Sequence, residues 1–126
     1  MEKNATIYYS TNNAPYVKRN GEICICADDF EIRWQEEESE FCIKRKNGEL
    51  LLSSKGAISY EINLSSNEKE CQISTPYGVT CVGIEGRDLN YYVKDNDDTF
   101  FVKIEYTLVL GIQKDKYTLS CRGKKL

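Results

Sequence analysis

The residues from Phe101 to Ile112, "FVKIEYTLVLGI", change polarity at nearly every step. Val102, Ile104, Tyr106, Leu108 and Leu110 fall on one side, and Lys103, Glu105 and Thr107 on the other. A β-strand turns successive side chains to opposite faces, so a period of two makes a ribbon with one apolar and one polar face. A helix with this pattern would scatter its apolar residues around the cylinder. The same alternation recurs in "FEIRW" (Phe30, Ile32, Trp34), "AISYEINL" (Ile58, Tyr60, Ile62, Leu64) and "KYTLSC" (Tyr117, Leu119, Cys121). No segment carries an i, i+3, i+4 apolar stripe. The chain is therefore expected to be all-β and antiparallel, with half-buried strands.

Turn signals lie between these runs. Asn20-Gly21 and Asn47-Gly48 read as tight type I′ hairpins, because both central positions of that turn need positive φ. "SSNEKE", "KDNDDTF" and "QKDKY" read as polar turns. Thr75-Pro76-Tyr77-Gly78 fits a type I turn, with Pro at the second position and Gly resuming the strand at positive φ. That geometry leaves the aromatic ring of Tyr77 without a structural reason. Gly86 suggests a bulge, and the basic end "CRGKKL" a frayed tail. About eight to ten strands result. One sheet with an apolar face on every strand must close on itself or pair with a second, so the architecture is a single antiparallel β-barrel or a two-sheet β-sandwich. With 126 residues and no linker or repeat, residues 1–126 form one domain.

Composition narrows the function classes. The longest apolar run falls well short of the ~18 residues of a membrane span, and the amino-terminal residues do not resemble a signal peptide. A cytoplasmic location is expected, where the six cysteines stay as free thiols and pack as small apolar groups. Cys24 and Cys26 share a strand face, but two thiolates in a chain with no histidine do not make a zinc site, so no metal or other cofactor is expected. The run starting at Asp95 opens like a calcium loop, yet Phe100 and Tyr106 occupy the glycine and bidentate glutamate positions. The absence of histidine also removes the usual base near neutral pH. Carboxylates cluster at Asp28-Asp29, Glu36 to Glu40 and Asp95 to Asp98, all at strand ends where solvated charge is normal. No nucleophile, base and orienting group can be named together, so no catalytic residue is assigned. A net charge of −3 argues against nucleic acid and anionic membranes. Lys44, Arg45 and Lys46 alternate faces and form no patch.

Two longer stretches, "SKGAISYEINLSSNEKECQISTPYGVTCVGI" and "FFVKIEYTLVLGIQKDKYTLSC", resemble the YwiB-like bacterial family. The shared features are Gly56 before a strand, the Thr-Pro-Tyr-Gly turn about twenty residues on, and an aliphatic penultimate strand; "EIRWQEEESE" resembles the family's aromatic and acidic strand end. The likeness spans about residues 30 to 122. It implies a calycin-like (lipocalin-like) β-barrel and favours barrel over sandwich, but it brings no catalytic residues. The family tends to have an arginine two residues before the glycine, where this chain has Ser54, so an anion-binding role does not carry over.

Barrels of about eight strands are filled by side chains or hold one small ligand. The expected inner face carries several tyrosines, whose rings give apolar walls and whose hydroxyls need partners. The reading is a protein that binds a small, largely apolar ligand in its lumen through Trp34, Tyr60, Tyr77, Tyr106 and Tyr117. The alternative is a non-catalytic structural or partner-binding module acting through dimerisation or a protein interface, with outer-face Tyr92, Phe101 and Val109 as the exposed patch.

Overall fold

A computed structural model describes the backbone of residues 2–26, 29–64, 70–94 and 99–125, with all their side chains except those at 2, 3, 86–94 and 125. Ten strands follow one another: β1 (Glu2–Thr11), β2 (Val17–Cys26), β3 (Asp29–Gln35), β4 (Ser39–Lys46), β5 (Glu49–Gly56), β6 (Tyr60–Asn63), β7 (Glu70–Thr75), β8 (Gly78–Lys94), β9 (Thr99–Leu110) and β10 (Gln113–Lys125). Every pairing is antiparallel, in one sheet of order β6-β5-β4-β3-β2-β1-β10-β9-β8-β7. The two ends of that order meet at Ser59 and Ser74, which exchange backbone hydrogen bonds of 2.8 and 2.9 Å. The sheet is thus a nearly closed barrel and not two facing sheets. No helix among the described residues is long and apolar enough to cross a membrane.

The seventeen-residue β8 makes this near-closure possible. Its first part pairs with β7, and from Gly83 onward it pairs with β9. The register shifts between Glu85 and Arg87, placing a bulge at Gly86 as expected. Such an extra residue bends a strand and lets one ribbon turn a barrel corner.

The alternation decides the inside. Ile23, Ile32, Ile43, Leu52 and Ile62 are directly paired across β2 to β6 and are 0–1% exposed. Branched side chains suit this position because they are stiff and pack closely on a pleated face. Val102 and Ile104 on β9 complete the wall opposite.

Several expected turns move. Asn47-Gly48 forms the anticipated two-residue hairpin, with φ of 55° and 78° between the Lys46–Glu49 pair. Asn20-Gly21 does not turn. It lies inside β2, where Gly21 pairs with Ala5 and Trp34. A Cβ at Gly21 would run into the Arg33 carbonyl oxygen and Ile7 Cδ1, so this glycine serves close approach between strands. The β1–β2 turn starts at Asn12 and Asn13, with φ of 52° and 61°. "QKDKY" belongs to β10, and the chain reverses two residues earlier at Gly111-Ile112. The "CRGKKL" end is not frayed through Lys125, because β10 is held between β1 and β9 as far as its pairs Lys125–Ala5 and Lys124–Thr99. The expected turns at 65–69 and 95–98 lie outside the described residues.

The cysteines also divide. None of the six forms a disulfide, but only Cys71 and Cys121 are core residues, while Cys26 and Cys81 are exposed. Cys24 and Cys26 alternate with Ile23 and Ile25, which puts them on the outer side of β2. Among the described residues no group of histidine, cysteine or carboxylate side chains could hold a metal ion.

Candidate functional site

One pleat step from the isoleucine row, towards one end of the barrel, the same five strands carry Gly21, Trp34, Phe41, Ser54 and Tyr60. This row mixes extremes of size. Trp34 and Phe41 are cross-strand partners with ring centroids 5.7 Å apart, and Tyr9 stacks on the other face of Trp34 at 5.5 Å. Ser54 follows Phe41 and is 1% exposed, its Oγ donating to the Ile58 carbonyl at 2.7 Å. A satisfied hydroxyl is tolerated there, but it leaves unfilled the volume that Leu52 takes up in the row below.

The result is a cavity of about 580 Å³ at this end of the barrel. Leu52 and Leu119 form its floor, and Tyr106 and Tyr117, stacked at 5.5 Å, its far wall. The rim carries Asn12, Glu36, Glu37, Glu38 and Ile58. Two links fix it. Asn12 bonds Thr118 twice, its amide donating to the Thr118 carbonyl at 2.8 Å and its side-chain oxygen accepting from the Thr118 amide at 3.0 Å. The Glu38 carbonyl accepts from the Ala57 amide at 3.0 Å, an approach that Gly56 permits because a Cβ there, at φ 141°, would strike that same carbonyl.

The polar groups of the site are mostly neutral. Burial, then donation to Glu36 and its nearby charge, push the Tyr9 phenol up to about 12. Burial also raises Tyr60 and Tyr106, and the Tyr106 hydroxyl donates to Tyr60. These phenols keep their protons at neutral pH and act as hydrogen-bond groups on apolar walls. Glu36 is met from outside by Arg19, whose Nε lies 3.3 Å from Oε1. That contact is an ion pair without hydrogen-bond alignment, because Oε1 is enclosed and accepts no hydrogen bond. Trp34 Nε1 is likewise buried without a protein partner.

Four of the five expected ligand residues, Trp34, Tyr60, Tyr106 and Tyr117, line this one cavity. Tyr77 does not. It sits at the tip of the two-residue β7–β8 hairpin, fully exposed, with its amide donating to Thr75 Oγ1 at 3.2 Å. The turn read from Pro76 and Gly78, whose φ is 133°, directs that ring outward. Tyr9, Phe41, Ser54 and Glu36 join the site unforeseen. Phe41 was legible in the alternation of "FCIKR". Tyr9 was not, because in "IYY" the step of the pleat alone separates it from outward Tyr8.

The model for a family described as a domain of unknown function, DUF1934, matches residues 3–120. The chain belongs to that family. The family therefore includes the amino-terminal strands, which lay outside the likeness read from about residue 30 onward. Among solved structures the fold resembles the crystal structure of the ywiB protein from Bacillus subtilis, with a TM-score of 0.78 and 11% identity over 99% of this chain and 93% of that one. At that identity the likeness establishes the fold that the DUF1934 chain shares. No curated protein matches the chain.

Proposed function

We propose that this DUF1934 protein binds a small, largely apolar ligand in the open end of its barrel. The cavity of about 580 Å³, walled by two aromatic stacks and floored by leucines, carries the reading. Small-molecule sites generally occupy about 300–1,000 Å³ and combine apolar walls with a few polar groups. Here the polar groups are the hydroxyls of Tyr60, Tyr106 and Tyr117.

Native mass spectrometry of the protein mixed with a cell metabolite extract tests it. A bound species of a few hundred daltons is expected, and it is lost in Ser54→Leu, where the added side chain fills the gap beside Phe41. Loss of one hydroxyl bond, about 1 kcal/mol, is offset there by new apolar contact. Failure to see any adduct under gentle ionisation overturns the proposal.

The alternative, a dimerising module, has weaker support. Phe101 and Val109 are half-buried and eight residues apart on β9, about 27 Å along the strand, so they do not form one patch. The Tyr92 side chain lies outside the described residues. A dimer in light scattering at micromolar concentration would revive this reading.

A further inference from the structure

The charge around the cavity is one-sided. Glu36, Glu37 and Glu38 stand on its rim, and no lysine or arginine belongs to its lining. Arg19 is committed to Glu36 through contacts of 3.3 and 3.4 Å. Glu37 and Glu38 are exposed and form no ion pair among the described residues. A carboxylate or phosphate ligand would meet repulsion here with no cation to receive it.

The walls add an attraction of the same sign. Trp34 and Phe41 lie nearly parallel, with 16° between their planes, and Tyr106 and Tyr117 form a second stack at 19°. Ring faces carry partial negative charge, and a cation held against them in a site shielded from water is attracted. Trp34 is 3% exposed and lines the cavity with its ring, while its Nε1–H is enclosed away from the open space.

Resting on the lumen-binding reading, we infer that the ligand is an organic cation: an amine or quaternary ammonium head at the Glu37–Glu38 rim, with an apolar body in the aromatic lumen. The body reaches the leucine floor past the Trp34 ring. The selectivity comes from opposite contributions at one end. The rim and ring faces favour positive charge, and the absence of a basic lining residue disfavours negative charge.

The chain has a single tryptophan, so its fluorescence reports occupancy of this cavity directly. Phenylbutylamine, phenylbutanol and phenylbutyrate share one body and differ in head charge. Titration of the intact protein at low salt should show the amine binding at least tenfold more tightly than the alcohol, with the acid weakest. Raising the salt should shrink the amine's advantage, because exposed carboxylates are screened. The double variant E37Q/E38Q, with both changes on an exposed bend, should bring amine and alcohol within about threefold of one another. If the alcohol or the acid binds as tightly as the amine, the cation inference is overturned and lumen binding stands. If the amine's advantage survives in E37Q/E38Q, the rim assignment is wrong. If none of the three perturbs Trp34, both proposals fall.

Discussion

The row Ile23–Ile32–Ile43–Leu52–Ile62 and the row Gly21–Trp34–Phe41–Ser54–Tyr60 cross the same five strands, one step of the pleat apart. Both face inward and both are predominantly apolar, yet one is close-packed and the other borders the cavity. The first is built from side chains of nearly one size, so each fills the gap beside its neighbour. The second alternates the largest residues with the smallest. Gly21 gives up its space to Ile7 and to the close approach of Trp34, whereas nothing fills the gap at Ser54. Uneven size within one row, and not loss of hydrophobicity, opens the barrel at this end.

The largest expected effect tests that contrast on a single strand. Ile43→Ala should cost about 3 kcal/mol in urea denaturation, because the surrounding core cannot collapse around a site that is 0% exposed. Phe41→Ala, two residues away, should cost less, since its half-buried ring already borders open space, while probe binding at Trp34 is lost. A larger stability loss at Phe41 than at Ile43 would erase the distinction between the rows.

An intermediate effect should appear at high pH. Burial pushes the Cys121 thiol up to about 12 from an ordinary 9.0, and burial with the Glu31 charge and hydrogen bond does the same to Cys42. Tyr9, Tyr60 and Tyr106 are raised as well, chiefly by burial. Each group therefore holds its proton in the folded chain over a range where the unfolded chain has released it. Their stabilising contribution is complete below about pH 9 and is lost as the pH rises through the folded values, about 12 for Tyr9, Cys42 and Cys121. Urea midpoints should fall steadily between about pH 9 and 12, with the phenolate absorbance of the folded protein lagging behind that of the unfolded chain. A midpoint that holds steady across that interval would mean that the cavity phenols and buried thiols are solvated.

The smallest expected effect is at Tyr77. Tyr77→Ala should shift stability by less than about 0.5 kcal/mol and leave Trp34 fluorescence titrations unchanged, because the ring touches neither row. Weakened probe binding in this variant would place the β7–β8 hairpin in the site after all.

Much of this was legible in the alternation. Trp34, Tyr60, Tyr106 and Tyr117 were placed inward by the period of two and by nothing else, and the pairing puts all four on one cavity. Tyr77 was misplaced because a turn signal says where a chain reverses and not which way its side chains point. The Asn20-Gly21 hairpin failed for a related reason. The dipeptide accepts a tight turn, but the contacts of a neighbouring strand also require a missing side chain, and locally the two needs look alike. The cysteines were read as core by residue type, whereas strand phase sent Cys24 and Cys26 outward.

By itself, then, the sequence determined the class of the fold and the inward faces of most strands. Those properties depend on neighbours along the chain, and periodicity records them. The closure through Ser59 and Ser74, the stacking of Tyr9 on Trp34 and the gap beside Ser54 depend on register between strands far apart in sequence. Register is set by the summed packing of the whole barrel, so only the tertiary structure could decide where the apolar interior ends and the cavity begins.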